Sequence, residues 1–217
     1  MSEKNDKRNS LLKGTGGEDY GKQKHPPQLN PLAFLPVSQT VSAPTRRAYE
    51  MRYEITERAE EPFFYGWTLG EFLLSSSRMA NAGEWKKDWD NALRSEYVDP
   101  ERIQIYETSR AWGASFYTTT HGLFTQSILD CIVSDWWGQL RVGGCVPWRG
   151  EISFEGIRTL LGVNVSGQIN AKEIALTLHA QKDAIITCHG HNLSLRKGEE
   201  HKLTLPGREP TAGKKGP

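Results

Sequence analysis

Cysteine is scarce in this chain, and the sequence has no long apolar run. The three cysteines, Cys131, Cys145 and Cys188, are too few and too scattered for the disulfide framework of a small secreted protein. No run of apolar residues has the length of a transmembrane helix, and no apolar segment after Met1 has the form of a secretory signal. Ser2 stands where N-myristoylation requires glycine. We therefore expect an intracellular, reducing environment.

The apolar share of 37% is low because the apolar residues are unevenly distributed. All seven tryptophans lie between Trp67 and Trp148. Large aromatic side chains dominate the energetics of a core, so the folded part is expected around them. We predict three segments: a disordered tail that is first basic and then proline-rich at 1–45, a globular α+β domain at 46–195, and a disordered basic tail at 196–217.

Charge also divides along these three segments. Residues 1–45 carry six basic and four acidic side chains, residues 46–195 carry 15 and 19, and residues 196–217 carry six and three. Basic tails on an acidic body predict that an anionic partner meets the tails first, although such tails can also serve only to keep a protein soluble. The candidate contact residues in the first tail are Lys4, Lys7, Arg8, Lys13, Lys22 and Lys24.

The hydrophobic spacing predicts one α+β domain, mainly an antiparallel sheet packed with two to four helices. Alternating apolar residues predict strands over residues 49–55, 102–108, 112–119, 173–180 and 184–188. The last two strands are expected to form a hairpin. Spacings of three and four residues predict helices over residues 69–80, 85–97, 124–137 and 154–161. Thr68 and Glu71 fit a capping box at the first helix. The prolines in 25–45 exclude regular helix, and leave an extended linker or a docking segment.

Residues 188–191 (Cys-His-Gly-His) form the one local cluster with metal-ligand chemistry. They offer at most three ligands where zinc needs four, so we predict neither a metal site nor a cofactor. A nucleophile pair of Cys131 or Cys145 with His121 or His189 lacks the motif that surrounds catalytic cysteines. No glycine-rich phosphate-binding loop follows a predicted strand. We predict no catalytic residue.

Trp136 and Trp137 are adjacent in a predicted helix, where neighbouring side chains point about 100° apart. Both are hard to bury together, so one indole is expected to be exposed and to mark an interface, where tryptophan is enriched. Base stacking is the alternative role of the tryptophans. RNA-binding platforms combine aromatic side chains with a basic face, whereas this body is acidic.

Three stretches carry a family resemblance. Residues 51–55 (Met-Arg-Tyr-Glu-Ile) look like an opening strand after a flexible start and a proline-rich stretch, residues 145–150 (Cys-Val-Pro-Trp-Arg-Gly) look like a small-residue loop, and residues 167–180 look like a later amphipathic strand. In these features the chain resembles the matrix proteins of rhabdoviruses. It departs from them at residues 26–29 (Pro-Pro-Gln-Leu), where a budding peptide of the P-P-x-Y type would end in Tyr.

The resemblance implies a non-enzymatic structural protein that self-associates and bridges nucleocapsid and membrane during assembly and budding. Its partners would be further copies of the chain, the viral nucleocapsid, an anionic membrane and RNA. The basic residues of the first tail would contact the membrane or the nucleocapsid. The protein would be found in the virion, the host cytoplasm and the inner face of the host membrane. The alternatives are a nucleic-acid-binding viral accessory protein, such as a movement protein or a silencing suppressor, and a small Cys/His-dependent enzyme.

Overall fold

The computed structural model describes residues 24–35, 42–58, 64–102, 104–106, 117–146 and 150–207. The chain divides into two compact units, Met1–Asp130 and Cys131–Pro217. We call them the helical unit and the β unit, because almost all described helices precede all described strands. The α+β class with antiparallel sheets is confirmed. The described residues form five α-helices, where two to four were expected.

The helical unit is arranged around one buried helix. The helices are α1 (Asn30–Phe34), α2 (Ala43–Glu57), α3 (Gly66–Arg78), α4 (Ala82–Arg94) and α5 (Thr118–Ile132, whose last two residues lie beyond the unit). Twelve of the 13 residues of α3 are buried. A side chain at Gly70 would come within 2.9 Å of Leu123, so glycine here allows α5 to approach α3 closely. A helix buried on all sides has to accommodate its polar residues inside the core.

Helix α2 replaces the strand predicted at 49–55, and that prediction is wrong. The helix begins at a capping box in which Ser42 and Thr45 bond reciprocally, and a proline stands in its first turn. Its buried residues are spaced by three and four: Thr45, Ala48, Tyr49, Arg52, Tyr53 and Thr56. The alternation that suggested a strand ends at Ile55, which is 41% exposed.

The proline-rich segment docks onto the helical unit, so the docking alternative holds for residues 24–35. Leu29, Leu32 and Ala33 are fully buried. The Thr68 hydroxyl donates a 2.7 Å hydrogen bond to the Lys24 carbonyl. The expected absence of helix is wrong, because α1 and the first turn of α2 lie within the predicted tail 1–45. Each of these helices has a proline in its first turn. A proline is tolerated there because the N–H groups of the first turn have no partner within the helix.

The predicted helices at 69–80 and 85–97 are confirmed with shifted ends. Helix α3 starts at Gly66, so Thr68 lies inside the helix and the predicted capping box is wrong. The helix expected at 124–137 is α5, which ends at Ile132. Of the strand predicted at 102–108, the described part shows an isolated bridge between Val98 and Ile105. Most of the strand predicted at 112–119 lies outside the described residues, and its end belongs to α5.

Over its described residues the β unit contains three antiparallel sheets. The strands are β1 (Val133–Ser134), β2 (Arg141–Val142), β3 (Ile152–Arg158), β4 (Val163–Ile169), β5 (Glu173–Ala180), β6 (Ala184–Cys188), β7 (His191–Leu195) and β8 (Glu200–Pro206). The largest sheet has the order β3-β4-β5-β8, while β1 pairs with β2 and β6 pairs with β7. The inner residues of all three sheets share one apolar core, which includes Leu140, Val165, Leu178 and Ile186.

Strand β3 replaces the helix predicted at 154–161. Ile152, Phe154 and Ile157 pack against the core, and the register with β4 shifts between Phe154 and Ile157. Gly156, with a φ of 66°, supplies the extra residue of this bulge. The bulge changes an alternating apolar pattern into a spacing of three, and this explains why the sequence suggested a helix.

Both strands of the predicted hairpin exist, but they do not pair with each other. Strand β5 pairs with β4 and β8, whereas β6 pairs with β7. The turn at 181–183 therefore passes the chain from one sheet to another. The predicted disorder after residue 195 is also wrong as far as Pro206, because Leu203 and Leu205 of β8 join the core beside β5. Residues 208–217 of that predicted tail lie outside the described residues.

Candidate interaction surface and buried polar cluster

The two adjacent tryptophans lie in a short 3-10 turn, Trp136–Gly138, between β1 and β2. The indole of Trp137 is buried, with 7% of the residue exposed, whereas Trp136 is half-buried. Their ring centroids lie 6.2 Å apart in an edge-to-face arrangement. Trp137 has a φ of 75°, a conformation that is strained for a bulky residue. Neither indole lies in the predicted helix, which ends at Ile132, and neither is fully exposed, so a role of Trp136 or Trp137 in an interface stays a prediction.

Leu160 is an exposed residue that the sequence did not reveal. It lies in the turn between β3 and β4 and is 70% exposed. Its backbone N–H donates to the carboxylate of Asp135, the residue before Trp136. The sequence assigned Leu160 to a helix because of the bulge in β3. Gly162, placed between two apolar alternating runs, is the signal that could have identified the turn.

The outer face of the four-stranded sheet carries small polar side chains. Along β4 and β5 the outward positions pair Asn164 with His179, Ser166 with Thr177, and Gln168 with Ala175. No Phe, Tyr or Trp lies on the outward positions of β3, β4, β5 or β8; Phe154, the one such aromatic in these strands, packs against the core. The stacking platform of sheet-based RNA-binding modules is therefore not built on this face.

Both outer strands of this sheet carry features that hinder edge-to-edge pairing. Strand β3 has the bulge at Gly156. Strand β8 places the charged Lys202 and the proline Pro206 at exposed positions. Bulges, exposed lysines and prolines are the devices by which natural edge strands avoid adding a further strand. The outer strands of this sheet are therefore poorly suited to pairing with a further strand.

The basic residues predicted as tail contacts fall into two groups. Lys4, Lys7, Arg8, Lys13 and Lys22 lie outside the described residues. Lys24 belongs to the docked segment, where its carbonyl accepts from Thr68 and its ammonium lies 5.9 Å from the centre of the Tyr117 ring. The prediction that Lys24 is part of a disordered tail is wrong.

The cysteines and histidines considered for chemistry are held by the fold. None of the three cysteines forms a disulfide and all are fully buried, and burial raises the pKa of Cys188 to about 11. His189 Nε2 accepts a 3.0 Å hydrogen bond from the Val142 N–H, and His121 Nε2 accepts from the Ile105 N–H at 3.3 Å. Among the residues that the structure describes, no three His, Cys, Asp or Glu side chains lie close enough to hold a metal ion.

The helical unit contains a buried polar cluster that sequence reasoning missed. The Tyr49 hydroxyl donates a 2.7 Å hydrogen bond to Asp88, and both residues are 1% exposed. Burial raises the pKa of Asp88 to about 7, although the hydrogen bond from Tyr49 opposes the shift. Burial likewise raises the pKa of Glu71, on α3, to about 8. The signal was present in the sequence, since Glu71 interrupts an otherwise apolar turn of α3.

The carboxyl groups of this cluster have shifted pKa values of the kind found in active sites, but a substrate cannot reach them. A group with 1% exposure cannot contact a substrate in this conformation, however well its pKa suits acid–base chemistry. The Lys87 ammonium lies 3.8 Å from the centre of the Tyr53 ring and 5.5 Å from the centre of the Tyr49 ring. We assign Tyr49 and Asp88 a structural role in joining α2 to α4, and Glu71 a structural role beside Arg52 of α2.

Neither a protein-family model nor a curated protein sequence matches the chain. Over the described residues, none of the helices has the length and apolarity needed to cross a membrane. The residues themselves therefore carry the functional argument. Among the described residues, the large apolar side chains that packing leaves most exposed are Leu160, at 70%, and Ile185 of β6, at 85%.

Proposed function

We propose that the chain is a non-enzymatic structural protein of a virion, similar in role to a matrix protein. It self-associates and bridges the nucleocapsid and an anionic membrane during assembly and budding. In the host cell it acts in the cytoplasm and at the inner face of the membrane.

The observation that carries the proposal is the exposed apolar turn of the β unit. Leu160 is 70% exposed at a turn, and the half-buried Trp136 lies in the segment to which that turn is hydrogen-bonded. A tight turn usually carries Gly, Pro, Asn, Asp or Ser, so a leucine there contributes nothing to the fold that a polar residue would not. Contact with an apolar partner accounts for a leucine at this exposed position.

The burial of the perturbed carboxyls and of the three thiols supports a non-enzymatic role. The nucleic-acid-binding alternative lacks the support of an aromatic platform on the sheet, as described above. Basic side chains that could serve it are also present in residues 1–23 and 208–217, where the sequence carries five and three basic residues, respectively.

Flotation of the full-length protein with phosphatidylcholine vesicles, with and without phosphatidylserine, tests the membrane contact. Sedimentation velocity over a range of protein concentrations tests self-association. A variant with the five basic residues of 1–23 changed to Ser separates the contribution of this tail. The proposal predicts flotation that depends on the anionic lipid and a sedimentation coefficient that rises with concentration. A monomer that does not float would overturn it.

A further inference from the structure

The turn that carries Leu160 is held rigidly. The Gly162 N–H donates to the Thr159 carbonyl at 3.2 Å, and the Thr159 hydroxyl donates to the Val163 carbonyl at 2.7 Å. The carboxylate of Asp135 accepts from the Leu160 N–H. Leu161 packs against the core, which leaves Leu160 alone at the tip. A preorganised side chain loses little entropy when it binds.

Three turns meet at this end of the β unit. Gln181 N–H donates to the Gly162 carbonyl at 2.8 Å, which joins the β3–β4 turn to the β5–β6 turn. Lys197 N–H donates to the Asp183 carboxylate at 2.7 Å, which joins the β5–β6 turn to the β7–β8 turn. We call residues 158–162, 181–183 and 196–199, together with Asp135 and Trp136, the turn end.

Four exposed cationic side chains belong to the turn end: Arg158, Lys182, Arg196 and Lys197. No ion pair is formed by these four within the described part of the chain. The acidic side chains of the turn end are turned toward backbone N–H groups instead. Asp135 accepts from Leu160, Asp183 from Lys197, and Glu199 from Arg196.

Two of the cations lie beside the apolar tip. Arg158 ends β3 just before the turn, and the aliphatic chain of Lys182 lies across Gly162, where a side chain would come within 2.2 Å of it. Long basic side chains can place their stems on apolar surface while the charged head reaches phosphate groups. The half-buried Trp136 adds apolar ring surface next to Asp135, while its indole nitrogen is buried.

We propose that the turn end is the surface by which this protein contacts an anionic lipid bilayer, with Leu160 inserted below the phosphate level. Arg158 and Lys182 then lie at the lipid phosphates and Trp136 at the interface. The proposal rests on the proposed function, because it names the part of the chain that makes the membrane contact. A bilayer fits better than a protein pocket, because a projecting apolar tip with exposed cationic side chains beside it matches the layered chemistry of the lipid surface.

Vesicle flotation of the full-length protein tests this with Leu160→Asp and the matched control Ile55→Asp, at a residue that is 41% exposed on α2. Loss of one inserted leucine is expected to lower the membrane partition coefficient about ten-fold. Ile55→Asp is expected to leave it unchanged. Circular dichroism and the thermal midpoint establish that both variants fold.

A labelled variant measures insertion directly. The three natural cysteines are fully buried, so Leu160→Cys introduces an accessible thiol for an environment-sensitive fluorophore. Vesicles that contain phosphatidylserine are expected to shift its emission to the blue. The same fluorophore at Ile55→Cys is expected to show no shift.

The outcomes separate this inference from the proposed function. If wild type and Leu160→Asp float equally, or the label at position 160 shows no shift, the inference is overturned while a membrane contact elsewhere in the chain stands. If wild type does not float, both the membrane part of the proposed function and the inference are overturned. If Leu160→Asp abolishes self-association in the absence of lipid, and vesicles do not shift the emission of the label at position 160, the turn end joins copies of the chain. The bilayer proposal is then overturned.

Discussion

Replacing Asp88 by Asn should remove a pH dependence from the stability of the helical unit. The Asp88 carboxyl is buried against Tyr49, and burial raises its pKa to about 7 from an ordinary value of 3.8. The folded state therefore favours the protonated form. The protonated Asp88 therefore contributes its full stabilisation at a pH below its pKa in the unfolded chain. This contribution is lost as the pH rises toward the pKa of Asp88 in the folded protein. A shift of about three units, at about 1.4 kcal/mol each, corresponds to roughly 4 kcal/mol.

The substitution Asp88→Asn keeps a hydrogen-bond acceptor for Tyr49 but cannot ionise. The unfolding free energy of the variant, relative to wild type, is therefore expected to rise by about 3–4 kcal/mol between about pH 4 and pH 7.5, and then to level off. Urea unfolding followed by far-ultraviolet circular dichroism measures this difference for the helices. The control is Asp90→Asn, at a partly exposed residue of α4 that pairs with Lys86.

The groups that face Asp88 are Tyr49 and Ser76, with the charged Glu84 and Lys87 on its own helix. Glu71 is also buried, and its pKa is raised to about 8. Ionisation of Glu71 therefore lowers the unfolding free energy over the same pH range as ionisation of Asp88. Repeating the comparison in a Glu71→Gln background isolates the contribution of Asp88. A difference between Asp88→Asn and wild type that stays constant with pH would refute the argument, because it would mean that Asp88 is ionised in the folded state.

Three further substitutions test the packing inside each of the two units. Arg78→Met should destabilise the fold by about 3–5 kcal/mol, because the Asp130 carboxylate 2.8 Å away would be left buried without its cation; adding Asp130→Leu should restore much of the loss in urea unfolding. Gly167→Ala should cost about 1–3 kcal/mol in the same assay, because its Cβ would lie 2.3 Å from a carbonyl of β5; an unchanged midpoint contradicts this. Thr68→Val removes the hydrogen bond to the Lys24 carbonyl and should speed tryptic cleavage after Lys24. An unchanged cleavage rate would mean that apolar packing alone holds this segment.

The sequence predicted the elements with regular apolar spacing and missed those where a single residue interrupts it. Helices α3 and α4 and strands β5 and β6 follow one period throughout, and all four were placed. The bulge at Gly156 shifted the period of β3 and produced a false helix. In α2, the alternation at residues 49–55 coincided with a helical spacing, and the capping box at Ser42 was the deciding signal.

The candidate site was predictable only in part, for a related reason. The tryptophan pair is visible in the sequence, and the difference in exposure between Trp136 and Trp137 follows from the 3-10 turn. Leu160 could not be identified without the β3–β4 turn. The pairing of Tyr49 with Asp88 joins residues 39 positions apart, and such a contact depends on how α2 packs against α4. Local patterns do not contain that information.

The central claim is that this chain bridges a nucleocapsid and an anionic membrane. Its most direct test is a co-flotation assay with nucleocapsids from the same virus, vesicles that contain phosphatidylserine, and the purified full-length protein. The proposed function predicts that nucleocapsids rise with the vesicles when the protein is present and stay at the bottom of the gradient when it is omitted. Nucleocapsids that stay at the bottom in both cases would contradict it.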